Sequence, residues 1–389
     1  MNTGRLIFSQ LMDYLPTHEF NRCVESYRGN YRARWFRCRD QFLCMAFAQL
    51  TYRESLRDIE TCLRSRGRQL YHAGIRGPIA RSTLADANET RDWRIYADIA
   101  AGLIARARRL YADEAFGVDL DQTVYAFDST TIDLCLTLFP WAQFRRRKSA
   151  VKLHTLIDLR GNIPCFVHVS SGRMTDVTSL DLLPIEAGAF YVMDRGYTDF
   201  ARLYRFTQAG AFFITRAKRN LDFAYREHRT VDKATGLRSD TSIRLRGPKS
   251  SRRYPIPLRR IRYYADDIDK RFVFLTNNFA LDALVIAELY RSRWQVELFF
   301  KWIKQHLRIK AFFGLSINAV KTQVWIAVCV YVLVAIVRKE LAIDRSMAEI
   351  LQILSISLFD KTPLLQVFSN ARGEAEMGKS SNQLSLFDF

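Results

Sequence analysis

The sequence predicts an α/β protein in which a mixed β-sheet is covered by helices, an all-helical region precedes the sheet and a β-rich insertion interrupts it. Three observations support this class. Helical patterns fill the first part of the 389-residue chain, short β-rich segments begin at residue 119, and strands alternate with helices from residue 190. Hydrophobic residues make up 49% of the chain, enough to fill the cores of two or three domains.

Residues 1–75 are predicted to form a helical DNA-binding domain. Helical patterns at 41–50 and 54–63 flank a short break, and the region contains arginine but no lysine. Helices joined by a tight turn are typical of DNA-binding bundles. The alternative is an all-helical module with a solvated basic face. Residues 76–118 are predicted to form a helical connector, with Ser82 or Thr83 as the cap of its helix.

The sheet is predicted in two parts, 119–215 and 272–368. In the first part, β-rich segments predict strands at 122–127, 151–158, 163–170, 190–193 and 211–215, and a helix at 200–207. The second part begins with a strand predicted at 271–276 and includes a helix that starts near Leu281. Its apolar run of 14 residues, 324–337, is shorter than the roughly 18 residues that cross a bilayer, so a buried helix is predicted.

Residues 216–271, between the two parts, are predicted to form a basic β-rich insertion. This stretch holds 17 Lys or Arg residues against 7 Asp or Glu, and Gly and Pro separate its Thr, Tyr, Ile and Val residues. A disordered basic loop is the alternative. The polar tail, residues 369–389, is predicted to be disordered.

The charge of the chain favours a nucleic-acid partner. The formal net charge is +19 with a pI near 9.8, and 46 of the 59 basic residues are arginine, which suits forked contacts with phosphates and guanine edges. The seven cysteines include no Cys-x-x-Cys pair, and no histidine lies at zinc-ligand spacing from them, which argues against a zinc finger. The start lacks a secretory apolar segment, so we expect reduced thiols in a cytoplasm.

Two aspartates follow predicted buried strands. Asp128 comes after the apolar run 124–127, and Asp194 comes after 190–193. A carboxylate at the end of a buried strand is costly to ionise without a charged partner, so the repeated pattern indicates a functional reason. The alternative is that each aspartate caps the following turn. Four other acids near the strands are interpreted as turn or cap residues: Asp133, Asp158, Asp176 and Asp199.

A third acid, Glu297, lies in the stretch 290–304, which is predicted to be one helix. At about 100° per residue, Tyr290, Arg293, Glu297 and Lys304 fall within about 60° of one another. Such a face suits a carboxylate that holds a divalent metal ion beside cations that bind phosphate. Solvated helix cations are the alternative reading of Arg293 and Lys304.

Together these residues resemble the bacterial insertion-sequence DDE transposases of the insertion-sequence-four family. The acids Asp128, Asp194 and Glu297 lie 66 and 103 positions apart, and the stretch from Tyr290 satisfies the family signature Tyr-x2-Arg-x3-Glu-x6-Lys in full. The resemblance has specific motifs over about 119–330 and is looser in the amino-terminal region. It implies a ribonuclease H-like catalytic core with helices on both faces of the sheet, formed by 119–215 and 272–368.

The same resemblance implies an activity. Asp128, Asp194 and Glu297 would bind two Mg²⁺ ions, which Mn²⁺ can replace, for cleavage at the ends of a mobile element and joining of the freed 3′ hydroxyls to target DNA. A homodimer would bind the terminal inverted repeats of paired ends in the bacterial cytoplasm, at the nucleoid. The terminal phosphates would be gripped by Tyr290, Arg293 and Lys304.

Three further side chains are predicted to contact DNA. Trp294 lies inside the signature, and aromatic rings stack on displaced bases. Lys152 and His154 alternate along a predicted strand and therefore project from one face. The alternatives are a packed core tryptophan and the ordinary polar face of a strand.

The tail ends with a motif that resembles the short peptide by which bacterial proteins dock into the replication sliding clamp. The motif consists of Gln383, Leu384, Ser385, Leu386 and Phe387. Apolar anchors in a disordered tail usually have a partner, so clamp docking is predicted. The alternative is a tail that packs on its own protein.

Two other functions fit many of the same residues. A DNA-binding regulator, or a decayed relative without catalysis, would keep the basic charge but could lose the acids, whereas all three acids are present. A metal-dependent nuclease that cuts without joining would keep the acids, and only its products would distinguish it.

Overall fold

A computed structural model of the chain describes residues 4–77, 79–135, 137–145, 148–306 and 312–369. Its internal contacts divide the chain into two compact units. The helical unit comprises Met1–Leu110 and Trp302–Phe389, and the sheet unit comprises Tyr111–Lys301. Each unit is described separately below.

The helical unit contains nine complete helices within its described residues. They are α1 (Ile7–Met12), α2 (Thr17–Ser26), α3 (Cys38–Leu50), α4 (Leu56–Ser65), α5 (Gln69–His72), α6 (Arg81–Thr90), α7 (Arg94–Leu110), α12 (Ile317–Glu340) and α13 (Met347–Ser357). Helices α3, α6 and α7 all pack against α12, which is the centre of this unit. This arrangement differs from the predicted division, because residues from 302 onward pack with the amino-terminal helices rather than with the sheet.

Helix α12 is apolar on every side, and almost all of it is buried. Its 24 residues are long and apolar enough to cross a membrane by length and composition, but 89% of its most apolar window is buried inside the fold. The prediction of a buried helix at 324–337 is therefore confirmed. The Ser316 hydroxyl caps its first turn by accepting the Ala319 N–H at 3.1 Å.

Helices α3 and α4 confirm the two predicted amino-terminal helices. Every residue from 41 to 50 in α3 is buried, so this helix cannot enter a DNA groove. Helix α4 buries only Ile59 and Leu63 and is capped by Ser55, whose hydroxyl accepts the Asp58 N–H at 3.1 Å. The exposed part of the pair is therefore α4 alone.

The described residues of the sheet unit form ten strands in one mixed sheet. They are β1 (Val124–Leu134), β2 (Gln143–Arg145), β3 (Lys148–Asp158), β4 (Ile163–Ser171), β5 (Phe190–Met193), β6 (Phe212–Arg216), β7 (Phe223–Arg229), β8 (Leu237–Leu245), β9 (Leu258–Ala265) and β10 (Lys270–Thr276). Their order is β2-β3-β1-β5-β6-β10-β9-β8-β7, with β4 paired to β3. Strands β1, β5 and β6 run parallel, and the other pairings are antiparallel.

Helices cover both faces of this sheet. They are α8 (Phe200–Gln208), α9 (Pro248–Arg253), α10 (Ala283–Arg291) and α11 (Trp294–His306), the last of which ends in the helical unit. Neighbouring residues of β10 point to opposite faces, and Leu275 joins the core cluster that contains Phe206 of α8, whereas the Phe274 ring lies 4.8 Å from that of Tyr290 on α10. The predicted mixed α/β class is confirmed.

The basic segment 216–271 is β-rich, as predicted, and extends the main sheet. Strands β7, β8 and β9 continue from β10 in an unbroken antiparallel series. Within it, the Arg259 guanidinium donates to both carboxylate oxygens of Asp240, at 2.9 and 2.7 Å, and both side chains are almost completely buried. Not all of the positive charge in this segment therefore faces solvent.

Candidate active site

The register of the parallel strands brings Asp128 and Asp194 together. The ladder between β1 and β5 ends with Phe127 opposite Met193, so the next residue on each strand is one of the two aspartates. Parallel strands end at the same edge of a sheet, which explains why the two strand-end aspartates are neighbours. Strand β1 continues to Leu134 instead of ending at residue 127 as predicted, because β3 still pairs with it there.

The predicted single helix over 290–304 is two helices. Helix α10 ends at Arg291 and α11 begins at Trp294, with Ser292 and Arg293 in a tight turn between them. The Arg293 N–H donates to Tyr290 O at 3.2 Å, which is the shorter bonding pattern of a 3₁₀ turn. The prediction that these side chains share one face of a single helix is therefore wrong, because the turn interrupts the helix. The side chains on either side of the turn nevertheless meet through direct contacts.

Arg293 connects two of the three acids. Its Nη1 donates to Asp128 Oδ2 at 2.9 Å and its Nη2 donates to Glu297 Oε1 at 2.5 Å. Burial lowers the pKa of Arg293, but the hydrogen bond to Glu297 and the nearby negative charges outweigh it, so the pKa is raised overall. Its Nε is buried and has no hydrogen-bond partner among the described residues. The guanidinium is therefore fully charged but incompletely satisfied.

Asp128 is the most buried of the three acids. Burial raises the pKa of its carboxyl group, and the charges of Asp194 and Glu297 raise it further, whereas the Ser129 N–H and Arg293 lower it. The Ser129 N–H donates to Asp128 Oδ1 at 2.8 Å, and the Tyr197 hydroxyl lies 3.4 Å from the same oxygen. Because Arg293 bonds both Asp128 and Glu297, and Asp128 and Asp194 follow paired strand positions, the three acids lie in one electrostatic neighbourhood.

Asp194 is held from the other side of the site. The Tyr290 hydroxyl donates to Asp194 Oδ1 at 3.3 Å, and Arg216 Nη1 lies 4.0 Å from the same oxygen. Burial raises the pKa of Tyr290 to about 12, so the phenol stays protonated at neutral pH and remains a donor. The ring of Tyr290 is fixed against Phe274, which determines where its hydroxyl points.

The donor set of the three acids fits a hard divalent cation, because carboxylate oxygens are the ligands that such ions prefer. The arrangement of the three acids, however, is not that of a metal site. Among the described residues, no group of three or more His, Cys, Asp or Glu side chains is close enough to hold a metal ion. Arg293 lies on an oxygen of Asp128 and an oxygen of Glu297 and supplies the positive charge between them. A cation could use these oxygens once the guanidinium moved away.

Lys152 and His154 do not project toward the acids. The register pairs them with Thr131 and Ser129, whereas Asp128 is opposite Thr155, so they lie on the other face of the ladder. His154 is 0% exposed, and its Nε2 lies 3.0 Å from the Ser170 hydroxyl. The prediction that His154 contacts DNA is therefore corrected, because a buried side chain cannot reach it.

Lys152 is also occupied within the fold. Its Nζ donates to Asp176 Oδ1 at 3.0 Å and to Met174 O at 3.0 Å, and Asp176 accepts the Ser129 hydroxyl at 2.7 Å. Lys152 is therefore a structural partner of Asp176 in this arrangement, and not a free cation on the DNA side. Asp176 begins a 3₁₀ turn, as its interpretation as a cap or turn residue anticipated.

Trp294 and Lys304 lie on α11. Trp294 is 47% exposed, so the core alternative does not hold, and it lines a cavity of about 520 Å³ together with Tyr290 and Arg293. Lys304 is half-buried and lies seven positions after Glu297, which places both on one side of α11. Their contact with DNA stays a prediction. The tail motif 383–387 lies outside the described residues.

Two residues of the site were missed from the sequence. Tyr197 lies three positions after Asp194 and contacts Asp128, and Arg216 ends β6, the parallel neighbour of β5. The spacing after Asp194 could have indicated Tyr197. Arg216 follows the strand predicted at 211–215 and could have been found by the same strand-end argument that identified the aspartates.

Comparison with known proteins identifies the family to which this chain belongs. Residues 119–333, more than half of the chain, match the family described as transposase DDE domain. Residues 3–76 match a family described as a domain of unknown function, DUF4372.

Three curated relatives are similar over long stretches. The putative transposase y4zB of Sinorhizobium fredii is 31% identical over 73% of this chain and 79% of its own length. The probable transposase for insertion sequence element IS5377 of Geobacillus stearothermophilus is 31% identical over 53% and 54%. The putative transposase for insertion sequence element IS4SA of Synechocystis sp. is 22% identical over 90% and 94%. With its ribonuclease H-like mixed sheet, the chain belongs to the DDE transposase family and is a bacterial insertion-sequence transposase.

Proposed function

We propose that this transposase cleaves the terminal inverted repeats of its element and joins the 3′ hydroxyls to target DNA with two Mg²⁺ ions held by Asp128, Asp194 and Glu297. Mn²⁺ would replace Mg²⁺. The DDE family uses divalent metal ions and acts on DNA. The observation that carries the proposal is that acids 66 and 103 positions apart meet around Arg293 and Tyr290.

The chemistry follows from the donors. When bound, a pair of divalent ions lowers the pKa of a water molecule and stabilises charge on the phosphodiester oxygens. Asp128, Asp194 and Glu297 supply carboxylate oxygens to hold those ions, and Arg293 and Lys304 offset the charge of the phosphate. A water oxygen bonds to phosphorus while the bond to the 3′ oxygen breaks. The oxygen of that 3′ hydroxyl then bonds to a phosphorus of the target strand while the bond from this phosphorus to the 3′ oxygen of the target breaks, so no covalent enzyme intermediate is required.

The acids are tested by neutral substitutions of the same size. Asp128→Asn, Asp194→Asn and Glu297→Gln should each lower Mg²⁺-dependent cleavage by about a thousandfold or more, because each removes a charge that the ions require. Binding of duplexes copied from the ends of the element should be retained. The readouts are gel analysis of cleaved ends and fluorescence anisotropy of the labelled duplex.

The matched control is Asp133→Asn, an exposed acid on the same strand as Asp128. It should cleave like the wild-type protein. Full cleavage by any of the three site variants would remove that residue from the metal site. A wild-type protein that binds ends without cutting would favour the regulator, and one that releases nicked ends without joining would favour the nuclease.

We also propose that the protein acts as a homodimer on paired ends at the nucleoid of the bacterial cytoplasm. Tyr290, Arg293, Lys304 and Trp294 are the proposed contacts to the element end, supported by the family signature and by the exposure of Trp294. Sedimentation of the protein with one and with two labelled ends tests the stoichiometry. A complex that contains one protein chain per cleaved pair of ends would contradict the dimer.

The tail proposal rests on the sequence alone. We propose that the motif 383–387 docks into the bacterial replication sliding clamp through Leu384, Leu386 and Phe387. The double variant Leu386→Ala, Phe387→Ala should lose retention on immobilised clamp, whereas Asp388→Ala should be retained. Unchanged retention of the double variant would reject the docking.

A further inference from the structure

An arginine-rich loop between α2 and α3 exposes two large aromatic rings. Tyr31 is 70% exposed and Trp35 is 88% exposed. They lie among four exposed arginines: Arg28, Arg32, Arg34 and Arg37. We call residues 28–37 the Arg–aromatic loop. Two large aromatic rings exposed in one short loop are a candidate binding surface.

The loop is fixed at both ends. A side chain at Gly29 would lie 2.5 Å from Ile95 Cδ1 and 2.7 Å from Cys38 Sγ, so the chain must approach the core closely there. The Asn30 side-chain oxygen accepts the Cys38 N–H at 2.8 Å, and the Arg37 N–H donates to Asp40 Oδ2 at 2.7 Å. The exposed rings therefore project from an anchored segment.

The backbone of the loop is held in unfavourable turns. Arg28 and Arg32 have φ angles of 51° and 58°, in the left-handed region that arginine rarely adopts. The turns are closed by Tyr31 N–H donating to Arg28 O at 2.9 Å and Ala33 N–H donating to Asn30 O at 3.0 Å. Strained backbone of this kind is concentrated at functional sites, which supports a binding role for the loop.

The charges of the loop are not neutralised by the fold. Arg28, Arg32, Arg34 and Arg37 form no ion pair within the part of the chain that the structure describes. Nearby acids are already engaged: Asp40 accepts the Arg37 N–H, Asp92 pairs with Arg94 at 2.6 Å, and Asp98 accepts the Tyr27 hydroxyl at 2.8 Å. Unpaired arginines on a rigid concave surface favour a polyanionic partner.

The loop also lines a cavity of about 1320 Å³. Arg76 and Arg91 contribute to its walls, and three acids also line it: Asp40, Asp86 and Asp92. Helix α4 is the other exposed basic element nearby in sequence, but its Arg64 is paired with Glu60 at 3.0 Å. The loop therefore carries four exposed arginines without ion pairs within residues 28–37.

We propose that the Arg–aromatic loop docks double-stranded DNA, with Arg28, Arg32 and Arg34 on backbone phosphates and with Tyr31 and Trp35 against the sugars and base edges in the groove. The inference rests on the proposed action on element ends and names the surface that holds them. Arginine forks match phosphate oxygens, and an anchored aromatic ring loses little conformational freedom on binding.

The test separates charge from stacking. The triple variant Arg28→Ala, Arg32→Ala, Arg34→Ala should bind duplex DNA at least about tenfold more weakly, and the slope of log affinity against log salt should fall by about three. Trp35→Ala should weaken binding about tenfold with an unchanged slope, because no phosphate contact is lost. The probes are labelled duplexes copied from the element ends and a random-sequence duplex of equal length.

The matched control is Arg57→Ala, which removes an exposed arginine on α4. It should bind like the wild-type protein with an unchanged salt slope. Equal losses for Arg57→Ala and the loop variants would overturn the proposal, as would a triple variant with a wild-type slope. So would selective loss of binding to anionic vesicles with DNA binding intact.

Cleavage separates this inference from the proposed function. Loop variants that bind and cut element ends as the wild-type protein does would overturn the loop and leave the transposase activity in place. Wild-type protein that binds through the loop but never cuts would overturn the activity and leave the loop in place. Far-UV circular dichroism checks that each variant is folded.

Discussion

Two arginines of the same sheet unit hold carboxylates in different ways. Arg259 makes a two-pronged contact with Asp240, and its remaining Nη1 donates to Leu281 O at 2.5 Å and Asn278 O at 3.3 Å. Both side chains of that pair are below 5% exposed. Arg293 instead divides its donors between Asp128 and Glu297, leaves its Nε unpaired, and faces a glutamate that is 58% exposed.

The difference separates a structural ion pair from an exchangeable one. One carboxylate balances the charge of Arg259, and backbone oxygens accept its remaining N–H groups. Moving either side chain of this pair would therefore leave a buried charge without a partner. Arg293 joins two acids that would otherwise repel each other, and one of them, Glu297, is exposed to solvent. A metal ion or a phosphate group could replace either side of that contact, which is what a reaction site requires.

The largest effect should follow from breaking the buried pair. Asp240→Asn leaves the Arg259 guanidinium buried without a counter-charge, so we expect a loss of about 3–5 kcal/mol in the free energy of unfolding. Urea-induced unfolding measures it. Cleavage measured on the folded fraction should be unaffected, because Asp240 lies in the insertion and does not contact the three acids.

An exposed pair of the same geometry provides the control. Arg202 donates to both oxygens of Asp181, and Arg205 also donates to Oδ1, but Asp181 is 42% exposed. Asp181→Asn should cost less than about 1 kcal/mol, since water screens the pair. A similar loss for both variants would mean that burial does not distinguish the Arg259 pair.

The comparison also shows what the sequence could predict. Strand β5 was predicted with its observed bounds, because four apolar residues between polar neighbours leave little choice. The strand-end argument found Asp128 and Asp194, since both follow apolar runs. Arg259 was not predicted as a buried residue, because an arginine in a basic segment looks like a surface residue until its partner across the sheet is known.

The errors at the site likewise concern features that only the three-dimensional structure reveals. The helical phase over 290–304 fails because a tight turn at Ser292 separates α10 from α11, and the junction contains neither proline nor glycine to indicate it. His154 and Lys152 were assigned to the DNA side because strand alternation gives two faces but not their identity. Only the register with β1 decides which face carries Asp128.

A buried histidine should give the next largest effect. Burial lowers the pKa of His154 from its ordinary value of 6.5 to about 4, although the charge of Asp176 opposes the shift, so the folded state disfavours the proton that the unfolded state accepts. Stability from this group is complete above pH 6.5 and is lost as the pH falls toward 4. His154→Gln should remove up to about 3 kcal/mol of that pH dependence.

Unfolding in urea at pH 7 and pH 4.5 measures the change, with the exposed His72→Gln as the control. The control should keep the pH dependence of the wild-type protein. If His154→Gln keeps it as well, the histidine is not held neutral by burial. The difference between buried and exposed groups would then hold only for ion pairs.

Replacing Arg293 tests whether its contacts are exchangeable. Without the guanidinium, Asp128 and Glu297 lose their shared counter-charge, so Arg293→Gln should bind Mn²⁺ about tenfold more tightly, which corresponds to about 1.4 kcal/mol. End cleavage should still fall, because a phosphate contact is lost. Titration calorimetry without DNA measures the metal affinity directly.

Arg293→Lys separates the two effects, because it keeps the charge but not the fork that reaches both acids. Its Mn²⁺ affinity should lie between those of the wild-type protein and Arg293→Gln. Weaker metal binding by Arg293→Gln would show that the arginine supports the metal site instead of competing for its oxygens.

The smallest effect should come from Tyr290, which holds Asp194 by one hydrogen bond of 3.3 Å from an uncharged phenol. Tyr290→Phe keeps the ring against Phe274 and should cost no more than about 1 kcal/mol in unfolding, but cleavage should fall severalfold because Asp194 is less well oriented. The pKa of Tyr290 is about 12, so the loss should be the same at pH 7 and pH 9. A loss that grew between those values would mean that the phenol titrates there and acts as a charged group.

Phe200→Leu, a change on the other face of the sheet, controls for general loosening of the fold. Equal loss of cleavage in Phe200→Leu and Tyr290→Phe would assign Tyr290 to packing alone.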